Sequence, residues 1–222
     1  MPVILYKVDL SPPVRAAMMT VEIIGLPVEF KDVDVLNMEH RSPEYIKKNP
    51  LHTLPCLDDN GFIIHDSHAI MMYLMDVYGK DDTWYPKDLK SRTLVNQKLF
   101  FNNSILFPRI RNIAYYAAME GVRTPAPRLW DDVREAYDFM EAFLTKSKYL
   151  ALGHMTIADI AAFASVTGLN HLLPMDTKKY PKTDAWLKEI KKQPFAQKIN
   201  EPGDKIFGQI IREKVDLESA FR

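Results

Sequence analysis

One cysteine, Cys56, stands among 222 residues, which rules out an internal disulfide and fits a reducing compartment. No apolar run approaches the roughly 18 residues that a bilayer-spanning helix needs. Met1-Pro2-Val3 carries no basic leader ahead of an apolar stretch, so the expectation is a soluble, cytoplasmic chain with no membrane partner. Cysteine and histidine at zinc spacing are missing, as are a glycine-rich phosphate loop and a lysine/arginine-rich arm. These absences set aside a metal site and nucleic-acid binding. Charge of one sign is also lacking: 29 basic residues balance 29 acidic ones. The balance is uneven along the chain, with 6 Lys+Arg against 11 Asp+Glu in residues 1–79 and 23 against 18 in residues 80–222. Such an asymmetry is a weak guide to partners, but it falls where the hydrophobic pattern also changes.

Up to residue 79, short β-prone runs alternate with helical ones. Val3-Ile4-Leu5-Tyr6 reads as a buried strand. Ser11-Pro12-Pro13 announces a helix, because serine caps well and proline is tolerated in a first turn whose N–H groups have no intrahelical partner. Val14, Met18, Val21 and Ile24 follow near helical spacing, ending at Gly25. Val28 to Val33 reads as a second strand and Ser42-Pro43-Glu44-Tyr45-Ile46 as a short capped helix. Cys56-Leu57 and Phe62-Ile63-Ile64 flank Asn60-Gly61, a strong hairpin signal, and a helix from Ala69 to Tyr78 closes the region. The order predicts a mixed four-stranded sheet with helices packed on it.

Residues 80–88, rich in Asp, Lys and Pro, read as a linker. Beyond it the period is helical to the end. Val95, Leu99, Leu106, Ile110, Ile113 and Ala117 mark one face of a long helix, and Leu129, Val133, Tyr137, Met140 and Leu144 mark another. Thr156-Ile157-Ala158-Asp159 resembles a capping box. The helix it opens, Ile157 to Thr167, is apolar nearly all round and belongs at the centre of a bundle. Further helices fit around Asp184 to Lys192 and Lys205 to Lys214.

The most informative segment for function is Asn49-Pro50-Leu51-His52-Thr53-Leu54-Pro55, followed by Asp66-Ser67-His68. A strand opening with proline cannot complete its own ladder, so Leu54 has a main-chain N–H and carbonyl to offer an extended ligand. Asp66 and Ser67 supply an acid and a hydroxyl where a helix begins. Helix N-terminal amides bind carboxylates, and an adjacent Asp can take an ammonium. A ligand carrying both groups at one end is an amino acid or a peptide. Asp66 and Ser67 read equally well as plain capping residues.

The chain resembles cytosolic glutathione transferases of the insect delta and epsilon classes, with Asp66-Ser67-His68-Ala69-Ile70 closer to epsilon. The resemblance runs through Leu10 to Arg15, Asn49 to Pro55, Asp66 to Ile70, Thr156 to Asp159, Tyr180-Pro181, Trp186 and Pro194. It implies a thioredoxin-like N-terminal domain over 1–79, a linker over 80–88, and an all-helical domain over 89–222 that forms an acceptor-substrate pocket. It further implies a homodimer and glutathione as cosubstrate, with no tightly bound cofactor.

On that resemblance Ser11 is either a plain N-cap or the donor of a hydrogen bond to the glutathione sulfur. Reactive thioredoxin relatives carry a cysteine there, so disulfide exchange is disfavoured. His52, with His40, would meet the glycine carboxylate. Leu54 would pair with the cysteine portion beside a cis Pro55, while Asp66 and Ser67 would hold the γ-glutamyl group. His68 stands where delta-class proteins often have arginine, and Asp66 where many relatives have glutamate. The acceptor pocket would draw on Leu10, Pro13, Phe107, Ile110, Arg111, Ala114, Tyr115, Met119, Phe207 and Ile211. Phe107, Ile110, Ala114 and Ala118 fall three and four apart and so can share a helix face, which serves equally as core. Conjugation of the thiolate to apolar electrophiles is the leading expectation, with hydroperoxide reduction beside it. A binding protein that sequesters hydrophobic ligands and a dedicated isomerase are the alternatives.

Overall fold

In the computed structural model, which describes residues 2–222, Val3–Lys7 (β1) and Val28–Asp32 (β2) lie side by side and parallel. β1 pairs antiparallel with Cys56–Asp59 (β3), and β3 antiparallel with Phe62–His65 (β4), giving the order β2-β1-β3-β4. The mixed sheet is the one expected. Asn60 and Gly61, at φ 53° and 94°, make the tight turn between β3 and β4, and left-handed φ at both central positions is what a type I′ hairpin requires.

Alternation along the strands assigns the two faces of the sheet. Val3, Leu5 and Leu57 join the main core under helices α1 (Pro12–Ile24) and α3 (Ser67–Tyr78). Tyr6, Cys56 and Ile63 point the other way and close a small cluster with Tyr45 of α2 (Pro43–Lys48). Ser42 caps α2 by accepting the Tyr45 N–H at 3.2 Å.

The helical part comprises α4 (Leu89–Phe101), α5 (Phe107–Met119), α6 (Pro127–Lys146), α7 (Ile157–Leu172), α8 (Pro181–Lys191) and α9 (Glu201–Lys214). α7 is buried nearly all round and packs against α1, α4, α5 and α9, so it is the central helix its composition predicts. It runs to Leu172, one turn past the expected end at Thr167. α8 starts three residues before the expected Asp184, with Pro181 in its first turn, where a missing N–H costs nothing. Asp159 accepts the Thr156 N–H at 3.0 Å and also receives Leu150 N and Trp186 Nε1 at 2.9 and 3.0 Å.

One feature departs from the sequence reading. The long helix over Val95 to Ala117 is not uniform: a π turn at Asn102–Leu106 separates α4 from α5, and a second, Ala196–Asn200, leads into α9. Each is followed two residues later by a proline, Pro108 or Pro202. Proline cannot donate to the carbonyl four residues back and its ring presses on it; widening the preceding turn accommodates both effects. Residues 80–88 contain no helix or strand but are firmly anchored rather than loose. Tyr85 is buried, donates to Asn96 Oδ1 at 2.9 Å, and carries the Arg92 guanidinium 4.2 Å from its ring centre. The Trp84 carbonyl accepts the Ile157 N–H at 3.0 Å.

Candidate active site at the domain junction

Three loops of the sheet domain carry the residues singled out in the sequence. The first follows β1. Ser11 is extended, at φ −77° and ψ 122°, and its carbonyl accepts the Arg15 N–H at 3.0 Å to start α1. Its hydroxyl makes no capping hydrogen bond. Capping draws on the N–H of the second or third helical residue; Pro13 has none to give, and the Val14 N–H is not bonded to the Ser11 side chain. Ser11 is half-buried and does not act as a side-chain cap.

The second loop is built around Asn49, which is fully buried. Its Nδ2 donates to the Thr53 carbonyl at 2.9 Å and Oγ1 at 3.1 Å, and its Oδ1 accepts the Leu51 N–H at 3.0 Å. The Tyr45 hydroxyl donates to the same carbonyl at 2.7 Å. The main-chain groups of Leu54 take no part in these bonds, and the Leu54–Pro55 peptide is cis. His52 sits at φ 45°, its ring 6.3 Å from that of His40. Burial, then the neighbouring Arg41 and His52, hold the His40 imidazole below its ordinary pKa. His40 Nδ1 is buried without a hydrogen-bond partner.

The third loop turns at Asp66, which adopts φ 76° and ψ 120° as N-cap of α3. One oxygen, Oδ1, accepts the N–H groups of His68 and Ala69 at 2.8 and 3.1 Å. Capping and ligand binding thus do not compete, since Oδ2 remains. Burial pushes the carboxyl up, but the bonds from His68 and the Ala69 amide outweigh it and hold the group below the usual carboxylate range. Ser67 and His68 are both buried. The imidazole is turned into the junction, with Nε2 2.9 Å from Asn102 Nδ2 and Nδ1 3.5 Å from Asp66 Oδ1. His68 thus lies between Asp66 and the helical domain.

The acceptor candidates divide by burial. Ile110, Ala114, Phe207 and Ile211 belong to the core, while Leu10, Pro13, Phe107, Tyr115 and Met119 are half-buried. Arg111 is exposed, its guanidinium 4.6 Å from the Tyr115 ring centre. Gly168 marks the point where four elements meet: a Cβ there would lie 3.2 Å from Ile110 Cδ1, 3.4 Å from Pro12 Cγ and 3.6 Å from Phe207 Cε1. Ile110 and Phe207 thus converge on Gly168 together with Pro12, the residue directly after Ser11. Asn102, Arg15 and Asp204 are the junction residues that sequence reasoning missed. Among the described residues, no group of three or more His, Cys, Asp or Glu side chains could hold a metal ion.

A thioredoxin-like domain with a serine at the head of its first helix, followed by an all-helical domain, defines the class. Residues 5–82 match the family model for the glutathione S-transferase N-terminal domain, and residues 70–194 the model for the glutathione S-transferase C-terminal domain. Glutathione S-transferase 1 of Manduca sexta is 41% identical, over 95% of this chain and 98% of its own. An epsilon-class glutathione S-transferase from the housefly, Musca domestica, superposes with a TM-score of 0.93 at 42% identity, covering 96% of this chain and 98% of the other. A glutathione transferase homolog from Drosophila mojavensis, solved with bound glutathione, gives 0.94 at 40% identity over 96% and 98%. The chain belongs to the glutathione S-transferase family.

Proposed function

We propose that this glutathione transferase holds glutathione across the three loops and activates its thiol at Ser11 for attack on apolar electrophiles. The carrying observation is the Ser11 hydroxyl, which makes no cap bond yet stands at the N-terminus of α1. Leu54 pairs with the cysteine portion through its main chain, in the manner of an added strand. The free Oδ2 of Asp66 takes the γ-glutamyl ammonium, and the Ser67 hydroxyl its carboxylate. His40 and His52 meet the glycine carboxylate at the far end.

The chemistry begins when the bound thiol gives its proton to solvent. A free thiol near pKa 8.5 is mostly protonated at neutral pH, and the thiolate is the nucleophile. Lowering that value by about two units takes roughly 2.7 kcal/mol of differential stabilisation. A hydrogen bond from a hydroxyl to an anion and the positive end of a helix can supply it together. Serine acts here as a donor and not as a base. The thiolate then forms its bond to an electrophilic carbon held against Leu10, Phe107, Tyr115 and Met119, and the leaving group departs with the electron pair of the broken bond. With a hydroperoxide it attacks the terminal oxygen, the O–O bond breaks, the alkoxide takes a proton from solvent, and a second glutathione converts the resulting sulfenic acid to the disulfide with release of water. Proximity in an apolar pocket supplies the rest.

The same reading places the protein in the cytoplasm as a detoxifying homodimer that needs glutathione as cosubstrate and no tightly bound cofactor. No helix among the described residues is long and apolar enough to cross a membrane. Leu89, Thr93 and Phe100 lie on one solvent face of α4, and the two apolar residues are 78% and 61% exposed, which suits burial against a second copy. The domain boundary is best placed within 80–88, between α3 and α4. The test is the absorbance of bound thiolate followed against pH in the wild type and in Ser11→Ala. A midpoint raised by about one to two pH units, with turnover at neutral pH reduced in proportion, is expected; an unmoved midpoint and unmoved turnover sink the assignment.

A further inference from the structure

Asp204, in the first turn of α9, stands between basic side chains from two other helices. Its Oδ1 lies 3.2 Å from Arg15 Nη2 of α1, and its Oδ2 lies 2.9 Å from His171 Nε2 of α7. Arg15 is fully buried. Its Nη1 donates to the Leu10 carbonyl at 3.3 Å, one residue before Ser11. Its Nη2 also donates to the Ala164 carbonyl at 3.2 Å and to Thr167 Oγ1 at 3.4 Å. One guanidinium therefore ties the loop ahead of Ser11 to the central helix and to α9.

The backbone is equally close at this place. A Cβ on Gly203 would lie 2.1 Å from the Asp9 carbonyl oxygen and 2.9 Å from Arg15 Cδ, so the first turn of α9 rests on the loop that carries Ser11. The His171 ring lies on Gly208, whose Cβ would come within 2.5 Å of it, and is 6.2 Å from the Phe207 ring. Asp204, Phe207 and Ile211 fall three and four apart and share one face of α9. The face that carries the carboxylate also carries two of the residues assigned to the acceptor pocket.

Burying a guanidinium is unfavourable: its pKa is pushed down to about 10 by desolvation, against the opposing pull of Asp204. Well-packed apolar residues often serve stability as well as a buried ion pair does. What an ion pair adds is direction, because both partners accept only a few geometries.

We propose that Arg15, Asp204 and His171 form a positioning network that holds the Leu10–Ser11 loop in register with α9. The Ser11 hydroxyl and the pocket wall formed by Phe207 and Ile211 then keep one geometry. His171 orients the carboxylate through Oδ2, leaving Oδ1 for Arg15. The inference rests on the reading of Ser11 as the thiolate's donor.

Asp204→Asn keeps the shape of the side chain and removes its charge. Measured well below the melting temperature, kcat should fall about ten- to a hundredfold, the range that a misplacement near 1 Å can reach. The KM for glutathione should stay within about twofold and the bound-thiol midpoint should rise. His171→Leu should move kcat and midpoint in the same direction, and His171→Gln, which retains a donor for Oδ2, should recover most of the loss. In a Ser11→Ala background, Asp204→Asn should leave the midpoint where Ser11→Ala alone puts it. Unchanged kcat and midpoint in both Asp204→Asn and His171→Leu, with only a lowered melting temperature, would overturn the network. If Asp204→Asn does not fold, equal kinetics for His171→Leu and His171→Gln would overturn it instead. An equal rise of the midpoint with and without Ser11 also counts against it. A silent Ser11→Ala overturns the underlying reading.

Discussion

The Nε2 of His68, in the first turn of α3, lies 2.9 Å from the side-chain nitrogen of Asn102, in the π turn of the helical domain. With the amide nitrogen donating, Nε2 is the bare nitrogen of the ring and the proton sits on Nδ1, a tautomer assigned from the hydrogen-bond pattern. Nδ1 then faces Asp66 Oδ1 and Ser67 Oγ, each at 3.5 Å. The corner proposed for the γ-glutamyl group is thus propped from the other domain. Asn102→Ala should raise the KM for glutathione about two- to tenfold, as the loss of one buried hydrogen bond of roughly 0.5–1.5 kcal/mol implies. The kcat at saturating glutathione should change little. Initial rates over a glutathione series check it, and an unaltered KM counts against the coupling.

Asp66 offers a way to separate capping from binding. Asp66→Asn keeps an oxygen for the His68 and Ala69 amides, so α3 and the melting temperature should be almost unaffected. It removes the charge that would meet an ammonium, and a hydrogen bond between ionised partners is worth roughly 1.5–3 kcal/mol. Calorimetric titration should show glutathione binding weakened about ten- to a hundredfold. Tight binding with an intact fold would mean that the ammonium goes elsewhere.

Much of the sheet domain was legible because its signals are local. The β-prone apolar run Val3 to Tyr6, the Asn60-Gly61 turn and the Ser42 cap each lie within a few residues and each appears in place. The two π turns escaped because Pro108 and Pro202 interrupt helical patterns whose apolar spacing hardly changes. The supporting layer of the site escaped for a different reason. His68 and Asn102 are 34 positions apart, and Arg15 and Asp204 are 189 apart; no periodicity links such pairs. An arginine at position 15 reads as a surface charge, since charged residues are rarely buried unless paired, and only the fold brings its partner. Phe207 and Ile211 entered only through the family resemblance, and the packing of Phe207 against Gly168 was not legible.

Cys56 ties stability to alkaline pH. Burial, with a smaller contribution from Asp58, pushes its thiol up to about 11 from an ordinary 9.0. The folded protein then keeps the proton in a range where the unfolded chain has lost it, so its contribution is complete below about pH 9 and is lost as pH rises towards 11. Unfolding free energy from denaturant curves at several pH values should fall through that window, and fall less steeply in Cys56→Ala. Identical slopes in the two proteins would reject the assignment. Thiol reagents at pH 8 should label Cys56 only on unfolding, because a buried thiol is inert.

Gly168 should set the width of the acceptor pocket. It lies within α7, where glycine costs roughly 0.8–1.0 kcal/mol relative to alanine, so alanine gains helix propensity. The new methyl must fit 3.2 Å from Ile110 Cδ1 and 3.6 Å from Phe207 Cε1. Both neighbours are side-chain tips that can yield by a few tenths of an ångström, and the gain and the crowding oppose each other. Gly168→Ala should therefore melt within a few degrees of the wild type. The tightest contact is with the pocket residue Ile110, while Pro12, beside Ser11, stays at an ordinary 3.4 Å. The KM for a bulky aromatic electrophile should rise severalfold, while the KM for glutathione and the thiolate midpoint stay put. Gly168→Val, with two more carbons and a stiff χ1, should exaggerate the effect and also lower the melting temperature, as overpacking by about 1–3 kcal/mol does. Acceptor and glutathione KM values changing together would mean that Gly168 acts through the junction as a whole and that Ile110 and Phe207 do not border the acceptor.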